Sequence, residues 1–338
     1  MKKKLCFIIL SMCILLSACT SVKKVESYKI GTGAHQCFAV IGDSLMTASE
    51  TAERIFGVNG EDKSGKSLDM KYPAISETAD NAVVFDIGGT SLSFFDGSSL
   101  ESKNVIINAA LSDSGYLAVC TEEAGYKGSV TVYSADKTET YKWYSADNWI
   151  LKAEVSPDGK TLAVLCSGEN GGSVHIFALS GNEETSSFTA DGAVFNDMHW
   201  LGDTICCIAD DMLYFCNAEG KAEDEYSFDG KNLGSYAFCD DEIVIELRTH
   251  SFGGAGTLIA VSADAKECGA VAPGAEVEGF DWSDGKLLTM CQGKLLCYDS
   301  NLKLLGTCEV SGCEGAYLRT DDILVVSAGE ARIMQLNK

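Results

Sequence analysis

The chain has 338 residues, 46% hydrophobic and 22% charged, a globular composition that excludes a disordered chain and leaves room for one large domain or two small ones. Asp and Glu number 49 against 26 Lys and Arg, a net charge of −23, so nucleic acid and anionic membrane surfaces are poor partners. Glycine is frequent (34) and proline scarce (3), which favours tight turns over proline-rich linkers.

The first segment is an address. Lys2, Lys3 and Lys4 form a basic start, Leu5 to Leu16 is an apolar run broken only by Ser11, and Leu16-Ser17-Ala18-Cys19 follows. This basic-apolar-small order is that of a secretory signal peptide. The last four residues resemble the bacterial lipobox, whose cysteine is lipidated and becomes the new N-terminus. Leu5 to Ala18 is too short to span a bilayer, which takes about 20 residues. The expectation is a signal peptide over 1–18, lipidation at Cys19 and a tether over 19–31, with the rest on the extracytoplasmic face of the cell membrane. Removal of three lysines takes the charge from −23 to −26.

Of 15 cysteines, two lie in the signal and one is Cys19, leaving 12. Cys120, Cys166, Cys206, Cys207, Cys216, Cys239, Cys291 and Cys297 lie in or beside apolar strand-like runs, where cysteine acts as a small buried hydrophobe. No C-x-x-C pair and no zinc spacing occurs. A Cys308–Cys313 disulfide is open, but free thiols are expected for most, which fits a weakly oxidising habitat.

Past Cys19, short apolar segments alternate with Gly, Asp, Ser and Asn, without helical periodicity. One unit is plain. Ile150–Val155 reads as a strand, Ser156-Pro157-Asp158-Gly159 as a turn, and Thr161–Cys166 as a second strand. Gly171-Gly172 reads as another turn, Ser173–Ala178 as a third strand, and Glu184–Thr189, after Ser180-Gly181-Asn182, as a fourth. Four strands joined by tight turns form a propeller blade.

The first turn recurs at Gly42-Asp43, Asp80-Asn81, Asp113-Ser-Gly115, Pro157-Asp-Gly159, Gly202-Asp203, Asp240-Asp241, Asp284-Gly285 and Asp321-Asp322. Its spacing sits around the ~40–45 residues of propeller repeats. Near-continuous apolar runs follow these turns, as in Ala82–Phe85 and Ile323–Val326, and suit strands covered on both faces. The fold class is therefore all-β: a single propeller over 32–338, of eight four-stranded blades, with seven blades plus an irregular insert as the alternative. After Asp322 only two strands fit, so Val25-Glu-Ser-Tyr-Lys-Ile30 is expected to supply the missing outer strand and close the ring.

These repeats resemble quinoprotein-like and WD-type propellers of bacterial surfaces. Asp86-Ile-Gly-Gly-Thr-Ser-Leu-Ser-Phe-Phe-Asp96, Ala153-Glu-Val-Ser-Pro-Asp-Gly-Lys-Thr-Leu-Ala163 and Asp210-Asp-Met-Leu-Tyr-Phe215 are similar to an uncharacterised membrane-anchored propeller family of Gram-positive bacteria, domain of unknown function 5711. The resemblance runs from about Gly42 to the C-terminus. It implies the fold and no catalytic residue.

Four motifs invite sharper readings. Gly42-Asp43-Ser44-Leu45 copies a serine-esterase block, but no Asp-x-x-His follows near the C-terminus, and the segment is already explained as a turn. Gly60 to Ser67 fits the phosphate-loop pattern, yet Pro73 comes too early for the helix that mechanism needs. Asp86-Ile-Gly-Gly-Thr90 resembles a sugar-kinase phosphate hairpin without that fold's helices. Cys206-Cys207 matches the vicinal pair of some quinoproteins, but sits in an expected buried strand. His35, His175, His199 and His250 are scattered singly, and no EF-hand loop occurs. No cofactor and no metal site is expected.

The functional expectation is a non-enzymatic scaffold that binds an envelope or secreted protein, peptide or polymer, a cationic one fitting the charge, with membrane contact only through the lipid. Tyr141, Trp143, Tyr144 and Trp149 are the densest aromatic group and the candidate binding surface, packing of an outer strand being the competing role. The alternative is a propeller hydrolase or quinoprotein-like oxidoreductase with its site in the central funnel.

Overall fold

The computed structural model describes residues 27–181 and 183–336. Among them every regular element is a β-strand. The first, β1, is Ser27–Lys29. Blade 1 holds β2 to β5 (Cys37–Ile41, Ser44–Ala48, Ala52–Phe56, Asp62–Ser67) and blade 2 holds β6 to β9 (Pro73–Glu77, Ala82–Asp86, Ser91–Phe94, Ser99–Glu101). Blade 3 holds β10 to β13 (Ile106–Leu111, Leu117–Thr121, Gly128–Tyr133, Glu139–Ser145) and blade 4 holds β14 to β17 (Trp149–Val155, Thr161–Gly168, Gly171–Ala178, Glu184–Asp191). Blade 5 holds β18 to β21 (Phe195–Leu201, Thr204–Ala209, Met212–Asn217, Ala222–Ser227) and blade 6 holds β22 to β25 (Asn232–Cys239, Glu242–Arg248, Thr257–Ser262, Glu267–Val271). Blade 7 holds β26 to β29 (Val277–Ser283, Lys286–Cys291, Lys294–Asp299, Leu304–Glu309), and blade 8 contributes β30 to β32 (Gly315–Leu318, Ile323–Ser327, Glu330–Met334).

Each sheet is four-stranded and antiparallel, seven of them in chain order, and all eight expected turns join a first strand to a second. In the turn after β14, Asp158 accepts hydrogen bonds from the Ser156 hydroxyl (2.7 Å) and the Lys160 N–H (3.0 Å), while Gly159 takes φ +74°. One turn differs from the sequence reading: Glu169 and Asn170 make it, and Gly171 and Gly172 extend β16. Gly172 has no side chain because Phe195 of blade 5 packs where one would be, at 2.3 Å from an added Cβ.

Blade 8 is completed by β1, with Ser27 opposite Arg332 and Lys29 opposite Glu330. The closing strand thus lies within the expected segment, of which Val25 and Glu26 fall outside the described residues. At this seam Ile30, Leu45 and Phe56 pack against Leu324, Val326 and Ala331. Arg319, almost fully buried, donates to the carbonyls of Val58 (2.9 Å) and Asp43 (3.4 Å) and pairs with Asp322, tying blade 8 to blade 1. Each seam between neighbouring blades has its own apolar core, which explains why the second strands are apolar on both faces.

Candidate functional site

The eight inner strands, from β2 to β30, surround a cavity of about 1010 Å³ on the ring axis. It reaches the turns that follow those strands, and each such turn carries an exposed aspartate, from Asp43 in blade 1 to Asp321 in blade 8. At one equivalent position near the end of each inner strand, the residue belongs to the cavity wall. In seven blades it is apolar: Val40, Leu111, Val155, Trp200, Phe238, Trp282 and Leu318. In blade 2 it is Glu77, and Asp281 of blade 7 lines the cavity from one residue earlier, the position of Glu154 and His199 in blades 4 and 5.

The wall formed by blades 4 to 6 is charged and internally neutralised. A bulge at Leu151 interrupts the pairing of β14 with β15 and reverses the alternation of faces. Ile150, Ala153 and Val155 therefore face blade 3, while Lys152 and Glu154 turn toward blade 5. A second bulge, at Asn196, aims Asp197 and His199 toward blade 6. Lys152 Nζ lies 2.8 Å from both Glu154 Oε1 and Asp197 Oδ1 and donates to the Met198 carbonyl at 2.9 Å. His199 Nδ1 meets Glu154 Oε2 at 3.0 Å, its ring lies 4.8 Å from that of Phe238, and the Tyr236 hydroxyl donates to Asp197 at 3.0 Å. Burial alone would raise the Glu154 carboxyl, but Lys152 and His199 outweigh it and hold it at about 2. The same carboxylates raise the Lys152 ammonium against its burial.

The opposite wall is not neutralised. Glu77, the last residue of β6, is exposed on the cavity. Desolvation and the Asp281 charge push its carboxyl up to about 7, against a hydrogen bond from the Val40 backbone. Asp281 accepts the Leu318 N–H at 2.6 Å, and burial pushes it up to about 6. Tyr317 lies beside both; burial and the two carboxyls raise its phenol, so it stays protonated. Among the described residues no Lys, Arg or His pairs with Glu77 or Asp281, and no three His, Cys, Asp or Glu side chains converge to hold a metal ion.

The four aromatic candidates are separated. Tyr141 is buried at the seam of blades 3 and 4, and Trp143 stacks beside it on Phe177 at 5.0 Å. Tyr144 and Trp149 are exposed, Tyr144 against Tyr126 (5.0 Å) and Trp149 under the Lys127 ammonium (4.5 Å). Cys19 lies outside the described residues. Gly65, Lys66 and Ser67 belong to the outer strand β5, with Lys66 bound to the carbonyls of Gly97 and Ser98. Asp86 ends β7, before the hairpin expected at Gly88-Gly89, and accepts the N–H groups of Lys71 and Tyr72. Cys206 and Cys207 face different seams of β19, and the described cysteines, Cys308 and Cys313 included, are free thiols. In the sequence His199 is one scattered histidine, and the structure makes it part of a cluster; Lys152, Glu154, Asp197, Tyr236, Glu77 and Asp281 carry no sequence motif.

A family model described as a family of unknown function (DUF5711) matches residues 16–334. No curated protein matches. Among solved structures, the computationally designed Ika8 protein superposes with a TM-score of 0.68 at 10% identity, covering 93% of this chain and 98% of that one. The C-terminal WD40 domain of Sif2 gives 0.65 at 11% identity, and BamB from Moraxella catarrhalis 0.58 at 11%, each covering 93% of this chain and 99% of the other. At such identity the likeness shows the fold alone.

Proposed function

The chain belongs to this family of unknown function, and we propose that it is a lipid-anchored binding scaffold on the extracytoplasmic face of the cell membrane, which takes its partner at the axial cavity. The observation that carries this reading is the cavity itself, a rigid, closed-ring recess edged by eight aspartate turns. Recognition residues gather on loops held by such a rigid frame. Its charge favours a cationic protein, peptide or polymer. A binding role fits better than a reaction because His199, the histidine of the cavity wall, is occupied by Glu154 and stacked on Phe238, with no hydroxyl or thiol bonded to it among the described residues. The signal-like segment ending at Cys19 supports the anchor. The strand β1 begins on the cavity-mouth side of blade 8, and the seven residues between Cys19 and Ser27 span at most about 30 Å. A chain held there keeps the cavity close to the membrane surface.

The test is crosslinking in intact cells, purification through a C-terminal tag, and mass spectrometry of partners and mature N-terminus. A lipidated Cys19 with a stoichiometric partner supports the proposal, and Cys19→Ala should then release the chain from the membrane fraction. An intact Met1 removes the anchor; a lipidated chain without a partner removes the scaffold role.

A further inference from the structure

We infer that the cavity takes a ligand carrying ammonium groups on a flexible aliphatic chain, held by Glu77 and Asp281; this rests on the binding-scaffold reading and names its ligand class. Residues at eight equivalent wall positions set the expectation. Seven are apolar and only Glu77 is ionisable; Asp281 lines the same recess one residue earlier in its strand, where blades 4, 5 and 8 carry Glu154, His199 and Tyr317. Glu77 and Asp281 both line this recess, the Asp281 charge reaches Glu77, and Tyr317 neighbours both. Two carboxylates lining one recess without a cation repel each other, a strain relieved either by a proton or by a cation from outside. The contrast with blades 4 to 6 sharpens the point, because there Lys152 supplies that cation internally to both Glu154 and Asp197.

The rest of the recess matches the other half of such a ligand. Phe280 and Trp282, both half-buried, line the wall and suit methylene groups and ammonium ions. The exposed aspartates of the mouth, Asp43, Asp113, Asp240 and Asp284 among them, raise the local concentration of cations. A bare metal ion fits less well, since no three ligating side chains converge among the described residues.

Protons compete with the ligand for the same two carboxyl groups. The groups facing Glu77 and Asp281 are each other, Tyr317, the backbone N–H groups of Val40 and Leu318, and, around Tyr317, the thiols of Cys37 and Cys313. The thiols and the phenol stay protonated below about pH 8, their proton affinities being raised by burial, so the two carboxyls govern the acid range.

The experiment is titration of the purified full chain with spermidine, followed by calorimetry and by the fluorescence of Trp200 and Trp282, with a lysine-rich peptide as a second probe. Saturable one-to-one binding is expected at about pH 8, weakening with salt and falling at least about tenfold by about pH 5. The double variant Glu77→Gln/Asp281→Asn should bind about tenfold or more weakly, while Asp158→Asn on the mouth, already paired with Lys160, should change affinity less than about twofold. Should the double variant fail to fold, the pH titration of the unmodified chain and the two single variants carry the test. Spermidine binding without peptide binding assigns a free polyamine; the reverse assigns a lysine-bearing chain end; both retain the ammonium site. Binding of neither, or binding indifferent to pH and to the double variant, overturns the inference. A partner recovered by crosslinking would leave the scaffold role standing in that event.

Discussion

Lys152→Met is the most informative single change for the charged wall. The side chain retains much of its aliphatic bulk but loses the ammonium that lies 2.8 Å from both Glu154 and Asp197. The two carboxylates then keep, among the described residues, only His199, the Tyr236 hydroxyl and the Met198 N–H as partners. Removing one partner of a buried ionic cluster costs about 3–5 kcal/mol, well above the effect of the lost packing. The pH dependence separates this cause from a cavity. In the natural chain the Glu154 carboxyl sits below its ordinary 4.5, at about 2, so its contribution is present above 4.5 and lost as pH falls toward 2. Without Lys152, the burial that raises the Glu154 carboxyl loses its main counterweight. The variant's penalty is then largest at neutral pH and shrinks in acid, where protonation removes the stranded charge. Urea unfolding followed by tryptophan fluorescence at pH 7 and pH 4 measures both, with midpoints compared if the transition is not two-state. Adding Glu154→Gln and Asp197→Asn should restore most of the loss at pH 7. An equal penalty at both pH values, or one below about 1 kcal/mol, would refute the electrostatic account.

The other seams and thiols make further tests. Ile30→Ala empties a buried site where the chain enters blade 1 and should cost about 2–5 kcal/mol by chemical unfolding, without change in the other seven cores. Gly172→Ala puts a methyl group into the ring of Phe195 and should cost about 1–3 kcal/mol, relieved by Phe195→Leu in the same chain. Alkylation of the native protein should modify Cys268 first, then Cys37 and Cys313 slowly, the nine buried thiols reacting only in urea; peptide mass mapping reads the order. The thiol of Cys37, pushed up to about 12 by burial, should stay sluggish even at mildly alkaline pH.

The blades were legible because each repeats a local instruction. A turn residue pair followed by an apolar run needs no long-range information, and all eight such pairs fall between first and second strands. Even the closing strand could be inferred, from a count of strands left after Asp322. The charged wall was hidden because its members come from three blades. A signal was nevertheless present: Lys152 and Asp197, and likewise Glu154 and His199, are 45 residues apart, which is also the spacing of their turns. Opposite charges at one repeat position in adjacent blades meet at the axis. The bulge at Leu151 hid this further, since strict alternation would have sent Lys152 to the face of Ile150. The aromatic group shows the same alternation at work, Tyr141 and Trp143 going to the seam and Tyr144 to the outside.

Ring closure by β1 also has a meaning in time. Ser27 pairs with Arg332, so a strand among the first to be synthesised finds its partner only when nearly the whole chain exists. Until then both β1 and the face of blade 1 at Ile30, Leu45 and Phe56 lack their cover. Any product that stops short, whether from an interrupted translation or a stalled export, keeps a bare strand edge and an apolar seam that proteases and chaperones can recognise. The joint between first and last blades thus reports on completeness: a sealed ring certifies that every residue in between was delivered.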